Sequence, residues 1–265
     1  MRRRSQRERR IPVRRGPSVP LTTFQLVLAL SAGKPFFTFD NFEDDEVDGE
    51  LVALVDWNNP AIKLEQGDDT KRIATPAAHA DFGGALCGTF TGVEWYPCNN
   101  VAAYNFAHDG SGMTIVPVYT RTNAGGFHVI CASNNFLSTS NRGLGVAGLA
   151  NGNTQAFVGT GSAAMWNTTS GGATAADVPT YRDVSWQKAA NAWNVRNNGT
   201  LAASGTTPNT PSALDPVTTM TLGAAGNGTL GFVGRIAAFP SFPWLDASGR
   251  ALVQQWINEE YGIAA

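Results

Sequence analysis

The end of the chain constrains its fold most strongly. Residues 231–239 predict a strand, a turn begins at Leu245, and residues 247–261 predict a helix. Asp246 is placed to cap the start of that helix, and Gly262 to end it in the left-handed region. The apolar face of the helix comprises Leu252, Val253, Trp256 and Ile257. Because the other predicted elements are short strands, we expect an all-β sandwich with one C-terminal amphipathic helix.

The strands are predicted from short apolar runs between turn signals. Asn-Gly and Asp-Gly pairs, such as Asp109-Gly110 and Asn198-Gly199, supply residues that tolerate positive φ. Alternation is clearest in residues 113–121, where Pro117 predicts an edge position or a bulge. The predicted strands are 51–56, 85–90, 113–121, 127–132, 143–148, 154–158, 181–187, 192–196, 218–222 and 231–239.

Composition favours the same class of fold. The 265 residues are 43% hydrophobic and only 15% charged, and they include 29 glycines. A chain of this length can form one large β domain or two small ones. Few charges and many turn-forming residues are typical of a turn-rich sandwich and unlike a helical enzyme.

Charge is divided sharply along the chain. Residues 1–15 carry a net charge of +7, which leaves −9 on the remaining 250 residues. Residues 40–69 contain eleven acidic side chains and one basic side chain, Lys63. A basic arm on an acidic body predicts an acidic partner, which is nucleic acid, a membrane surface or the body of a neighbouring copy, and contact with a copy is favoured over nucleic acid. The candidate subunit-anchoring residues are Arg2, Arg3, Arg4, Arg7, Arg9, Arg10, Arg14 and Arg15.

The organisation predicted from these patterns has two parts. Residues 1–38 are an Arg-rich N-terminal arm with an apolar anchoring segment, and residues 39–265 are the sandwich domain. Residues 21–38 are β-prone and could form a first strand or pack on another subunit. Alternatively, arginines followed by the apolar run 21–32 resemble a cleaved signal peptide. That run is too short to span a bilayer.

Several segments carry a family likeness. They are Ala80-Asp81-Phe82-Gly83-Gly84-Ala85-Leu86, Phe90-Thr91-Gly92-Val93-Glu94-Trp95, residues 105–115 and Ser140-Asn141-Arg142-Gly143-Leu144-Gly145. Their order, with the terminal strand and helix, resembles laminin-G-like, concanavalin A-like jelly rolls found in bacteriophage virion proteins. The resemblance covers roughly residues 50–263. It implies a β-sandwich that binds carbohydrate or another protein, sometimes with calcium, and it defines no reaction.

An acidic motif, Glu46-Val47-Asp48-Gly49-Glu50, is the sharpest sign of catalysis. In a strand, alternation would place its three carboxylates on one face, as in retaining glycosidases of this fold superfamily. Gly49 and the neighbouring acidic residues 43–45 favour a solvated loop instead. The same loop partly matches a calcium loop, but Val55 stands where the closing carboxylate is needed. We expect no catalytic residues and no resident metal, with calcium as an open alternative.

The remaining polar candidates do not converge in sequence. His79, His108 and His128 share no motif, and His108 is best explained as a turn residue. No nucleophile elbow is present. Three cysteines, Cys87, Cys98 and Cys131, are predicted to be buried free thiols, with a Cys87–Cys98 bridge as the alternative.

Aromatic side chains supply the candidate ligand contacts. Of the seven tryptophans, Trp57, Trp186, Trp193 and Trp256 are predicted to lie in the core. Trp95, Tyr96 and Trp166 fall nearer to loops and are the candidates for glycan contact, since aromatic faces stack on sugar rings.

Three functional hypotheses follow. The first is a non-enzymatic virion structural or decoration protein on a capsid or tail, anchored by its arm to other virion proteins and to its own copies, with surface glycans as further ligands. The second is a secreted carbohydrate-binding or glycan-processing domain. The third is a coat protein that contacts nucleic acid through the arm. No membrane span is expected.

Overall fold

The fold is taken from a computed structural model. It describes residues 21–45, 48–122, 126–133, 142–149, 151–159, 166–170, 175–206, 212, 214–216 and 218–264. Its three helices are α1 (Thr23–Leu30), α2 (Phe106–Asp109) and α3 (Ala247–Tyr261). Its strands are β1 (Phe36–Thr38), β2 (Phe42–Asp45), β3 (Glu50–Val55), β4 (Lys63–Glu65), β5 (Ala77–Ala78), β6 (Leu86–Thr91), β7 (Tyr96–Pro97), β8 (Gly112–Ile115), β9 (Val118–Arg121), β10 (His128–Ala132), β11 (Leu144–Gly148), β12 (Thr154–Val158), β13 (Trp166–Ser170), β14 (Thr180–Gln187), β15 (Ala192–Asn197), β16 (Thr200–Thr206), β17 (Thr221–Leu222) and β18 (Val233–Pro243).

Two large antiparallel sheets form the sandwich. The nine-stranded sheet runs β16-β15-β14-β8-β18-β6-β5, with β1 and β9 also paired to β18. The six-stranded sheet runs β13-β12-β11-β10-β17-β7, and β2, β3 and β4 form a small third sheet. The predicted all-β jelly-roll sandwich with a C-terminal helix is confirmed.

The main core lies between the two large sheets. It joins Ile115 and Trp186 of the nine-stranded sheet to Ile130 and Val146 of the six-stranded sheet. Side chains on a strand alternate between the two faces of its sheet. The outer face of the nine-stranded sheet is also apolar, with Val118, Ala237 and Phe242 buried in a second cluster. This outer face is covered by α1 and α3.

The C-terminal helix has the bounds that the sequence predicts. The Asp246 carboxylate accepts a hydrogen bond from the Gly249 N–H at 2.7 Å, which caps its start. Gly262, with φ of +67°, ends it. Val253, Trp256 and Ile257 are buried against Val118, Ala237 and Phe242 on the outer face of the nine-stranded sheet.

Residues 21–38 form the predicted first strand only at residues 36–38, and residues 23–30 are helical. Thr22 and Gln25 form a capping box, with each side chain bonded to the other residue's backbone N–H, so the segment begins a helix. Val27 of α1 is buried against the α3 side of the sheet. Phe36 and Thr38 of β1 pair with β18. Residues 36–38, which the predicted division assigns to the N-terminal arm, thus form part of the nine-stranded sheet. These contacts lie within one chain, and anchoring to a neighbour stays a prediction.

Pro117 divides a predicted strand. The run 113–121 becomes β8 and β9, both of which pair with β14 and β18. The edge alternative is therefore wrong, whereas the bulge alternative agrees with the register shift between Ile236 and Ala238, the partners of Tyr119 and Val118. Proline has no N–H to give to the ladder, and the chain instead keeps the Pro117 carbonyl bonded to the Arg182 N–H at 3.1 Å.

Candidate functional site

A polar cavity lies where the outer face of β14 meets α3. We call it the arginine pocket; its volume is about 230 Å³. β14 contributes Tyr181 and Asp183, because alternate residues of a strand share a face. The wall is completed by Arg196 of β15, by Gly199 in the turn after it, and by Leu245, Arg250, Val253 and Gln254 in and just before the first turns of α3.

An ion pair fixes one side of the pocket. The Arg250 Nε donates to the Asp183 carboxylate at 2.7 Å, and its Nη2 donates to the Ser185 hydroxyl at 3.0 Å. The Ser185 hydroxyl also bonds Asp183, and lies 3.1 Å from the Thr114 hydroxyl. The guanidinium rests 4.6 Å from the ring centre of Trp244. Arg250 is therefore held in one orientation.

The other side of the pocket offers polar atoms with unused capacity. Within the described part of the chain, the Tyr181 hydroxyl and the Arg196 Nε are buried without a hydrogen-bond partner. Arg196 makes only a long bond, 3.4 Å, to the Gly199 carbonyl. Burial, with the charge of Asp183, raises the pKa of Tyr181, so its hydroxyl stays protonated. Buried polar atoms of this kind are normally satisfied, which marks this side for a ligand.

Glycine is required between these groups. Gly199 has φ of +81°, a conformation that other residues rarely adopt. A Cβ at this position would lie 2.6 Å from the Gln254 Oε1 and 3.0 Å from the Tyr181 hydroxyl. A side chain here would therefore crowd the polar side of the pocket.

The three residues predicted to contact a glycan, Trp95, Tyr96 and Trp166, differ in their burial and surroundings. Trp95 is half-buried, and its ring packs over Gly228, where a Cβ would meet it at 2.8 Å. Trp166 belongs to β13, but its side chain lies outside the described set. Tyr96 is fully buried, and its hydroxyl accepts from the Ile73 N–H and donates to the Leu51 carbonyl, both at 2.9 Å. The expectation that Tyr96 faces a ligand is therefore wrong.

Tyr96→Phe should lower the free energy of unfolding by about 1–3 kcal/mol, because it leaves two buried backbone groups without their partner. Tyr181→Phe is the matched control, since its hydroxyl has no partner among the described residues and its loss should cost little. Urea denaturation followed by circular dichroism measures both. Equal losses in the two variants would contradict the structural role given to Tyr96.

The acidic motif spans a hairpin. Asp48 and Gly49 lie in the turn between β2 and β3, and Glu50 begins β3, so these residues do not share one strand face. Glu46 lies outside the described residues. No cluster of three metal-ligating side chains occurs in the described ranges.

The histidines occupy separate structural positions. His79 accepts from the Asp81 N–H at the start of a short 3₁₀ helix. His108 lies in α2, where its Nε2 is 3.4 Å from Asp215. His128 packs edge-on against Phe232, and burial, with the charge of Arg121, lowers its pKa. The three histidines therefore have different neighbours and do not form one site.

The cysteines are buried free thiols, as predicted. Burial raises the pKa of both Cys87 and Cys98 to about 11, so these thiols stay protonated at neutral pH. The alternative of a Cys87–Cys98 bridge is wrong.

The predicted anchoring arginines, from Arg2 to Arg15, lie outside the described residues, so their role stays a prediction. Among the helices described, none is long and apolar enough to cross a membrane. The predicted core tryptophans include one exception: Trp57 is 38% exposed, on the rim of a groove beside α1.

Sequence reasoning missed the arginine pocket. Its signal was present in the alternation of Tyr181, Asp183 and Ser185, which sets polar groups on one face of a strand otherwise rich in core residues. A buried strand that repeats polar residues at every second position is a sign that something polar packs on that face. The partner, Arg250, lies 67 residues from Asp183 along the chain and could be assigned only from the fold.

Comparisons with known proteins bear on the fold. No known protein-family profile matches the chain, and the curated proteins include no significant match. The CBM40 of an IT-sialidase from Ruminococcus gnavus, bound to α2,3-sialyllactose, is similar with a TM-score of 0.52 at 15% identity, over 62% of this chain and 94% of that one. A leech intramolecular trans-sialidase gives 0.51 at 14% identity, over 68% of this chain and 27% of that one.

A third similar structure is the binding domain of botulinum neurotoxin DC in complex with SialylT. Its TM-score is 0.50 at 10% identity, over 80% of this chain and 52% of that one. At such low identities these likenesses show the fold alone, and the laminin-G-like family and the phage origin stay predictions. The chain is a jelly-roll β-sandwich with the architecture of these domains.

Proposed function

We propose that this protein is a non-catalytic carbohydrate-binding domain that holds an acidic sugar in the arginine pocket. The observation that carries the proposal is the unused polar side of the pocket. There, Tyr181 and Arg196 line a cavity of about 230 Å³, and the Tyr181 hydroxyl and the Arg196 Nε are buried without partners among the described residues.

The charge of the pocket selects the ligand class. Arg196 and Arg250 contribute two positive charges, and Asp183 contributes one negative charge. Asp183 already engages Arg250, so the guanidinium of Arg196 is left to bind an anion. A sugar carboxylate suits that guanidinium, because the two planar groups form charge-assisted, two-pronged hydrogen bonds. Tyr181 and Gln254 are placed for the sugar hydroxyls.

The similar structures support a glycan as the ligand. The Ruminococcus gnavus domain was solved with α2,3-sialyllactose, and the neurotoxin domain with SialylT. These ligands belong to those proteins, and the pocket chemistry is what extends the idea to this chain. Carbohydrate binding, the second hypothesis from the sequence, is therefore preferred to the virion role. The virion role rests on resemblance in sequence and stays a prediction.

Binding without catalysis follows from how the acidic groups are used. Retaining and inverting glycosidases need two carboxyl groups free to act on one bond. Asp183 is bonded to Arg250 and Ser185, and among the described residues that line the pocket it is the one carboxylate. The pocket is thus equipped to hold a sugar.

The test compares two ligands that differ by the acidic sugar. We expect 3′-sialyllactose to bind in isothermal titration calorimetry and lactose to bind at least tenfold more weakly. Arg196→Met should weaken 3′-sialyllactose about 10- to 100-fold, which corresponds to a charge-assisted hydrogen bond of roughly 1.5–3 kcal/mol. Arg235→Met is the matched control, because Arg235 pairs with Asp81 away from the pocket.

Two results would contradict the proposal. One is equal binding of lactose and 3′-sialyllactose, which would show that the carboxylate is not recognised. The other is equal weakening by Arg196→Met and Arg235→Met, which would show that the arginine pocket is not the site. Hydrolysis of either glycan during the titration would overturn the non-catalytic part.

A further inference from the structure

A second concave site shares no lining residue with the arginine pocket. We call it the helix groove; it has a volume of about 400 Å³ and runs between α1, the end of β1 and the last turn of α3. It is lined by Thr22, Phe24, Thr38, Asp40, Trp57, Trp256, Glu260 and Tyr261. The proposed carbohydrate site does not use any of these residues.

Aromatic rings form the wall of the groove. The ring centres of Phe24 and Trp57 are 5.2 Å apart, and those of Trp256 and Tyr261 are 5.5 Å apart. The Trp57 Nε1 donates to the Thr38 hydroxyl at 3.0 Å, which fixes the ring while 38% of the residue stays exposed. Ring faces with accessible surface attract cations, and guanidinium groups stack on them.

Asp40 and Glu260 share the groove, and none of the described residues that line it is basic. Desolvation raises the pKa of Asp40, and desolvation with the charge of Asp40 raises the pKa of Glu260. Both directions are those of acidic groups that lack a nearby cation. A positively charged occupant would relieve the repulsion between them.

Two residues of the lining also carry buried polar atoms that lack hydrogen-bond partners among the described residues. The Trp256 Nε1 and the Tyr261 hydroxyl belong to residues that are each 1% exposed, and neither atom has a partner in the described part of the chain. Indole N–H is a donor only, so its partner must carry an acceptor, such as a backbone carbonyl. A peptide with cationic side chains meets both requirements.

We propose that the helix groove binds the Arg-rich segment 1–15 of the same chain, with a guanidinium between Asp40 and Glu260 and against the Trp57 ring. That segment carries a net charge of +7, complementary to the two groove carboxylates. Thr22 lies in the groove lining, and Arg15 precedes it by seven residues, a span of about 25 Å when extended. A tether of this length gives a local concentration on the order of millimolar, well above that of free neighbouring chains.

Trypsin tests the proposal on the full chain, since it cleaves after arginine and a docked arm is a poor substrate. The time course of cleavage within residues 1–15 is followed by intact-mass spectrometry. We expect Asp40→Asn with Glu260→Gln to speed cleavage after Arg14 and Arg15 by about fivefold or more. Asp44→Asn with Glu65→Gln, which removes the same charge outside the groove, should leave the rate unchanged.

Each outcome decides the assignment. Equal rates in wild type and the groove variant would overturn it, as would equal acceleration in the control variant. Protection that disappears on dilution would assign the arm of a second copy and overturn docking within one chain. Because the substituted carboxylates are exposed, we expect both variants to fold, and far-UV circular dichroism checks this. High salt provides a second measurement on unaltered protein: it should weaken protection.

Discussion

Trp256→Ala should lower the free energy of unfolding by about 3–5 kcal/mol, among the largest losses expected from a single substitution in this chain. Trp256 is 1% exposed, and its ring centre lies 5.4 Å from that of Phe36 and 5.5 Å from that of Tyr261. It therefore joins α3 to β1 and, through Phe36, to the nine-stranded sheet. Removing the indole leaves a cavity that α1 and α3 cannot both close.

Urea denaturation followed by circular dichroism measures this loss, with the dependence on urea expected to stay unchanged. Trp57→Ala is the control for removal of an indole, because Trp57 is 38% exposed and should cost less than half as much. A loss below about 1.5 kcal/mol for Trp256→Ala would mean that the helix adds little to the sheet. That result would contradict the view of α3 as part of the core.

The terminal helix shows how far sequence reasoning extends. Its bounds followed from a capping carboxylate, one apolar face and a terminal glycine, all of which are local in sequence. α1 has an equally local signal in Thr22 and Gln25, but the apolar run that follows also favours a strand. Strands of only two residues, such as β5 and β7, are too short for a sequence pattern to show their periodicity.

The candidate site depends on contacts between distant segments. Tyr96 lies near loops in the sequence, yet its hydroxyl is buried between Leu51 and Ile73 of other segments. The arginine pocket joins β14 and its following hairpin to α3, a juxtaposition that follows from the order of strands in the sheet. Fold class could thus be predicted from local pattern, and the site required the topology.

The Asp183–Arg250 pair gives the second large effect. Arg250→Met should cost about 3–5 kcal/mol of unfolding free energy, because it leaves the Asp183 carboxylate buried and without its cation. The side chains of Asp183 and Arg250 are 6% and 15% exposed, so water in the pocket can replace only part of the lost interaction. Asp183→Asn with Arg250→Met removes both charges and should cost less than the two single changes together.

A double-mutant cycle in urea separates this coupling from simple loss of packing. We expect a coupling energy of roughly 1–3 kcal/mol, and strict additivity would contradict the pairing.

The Asp183–Arg250 pair also affects which residue can bind the ligand. Because Asp183 neutralises the charge of Arg250, this pair stabilises the wall of the arginine pocket. Arg196 is then the group proposed to bind an anion. Asp183→Asn should therefore reduce stability. Arg196→Met, at a half-buried residue without an ion-pair partner among those described, should reduce binding with little effect on stability.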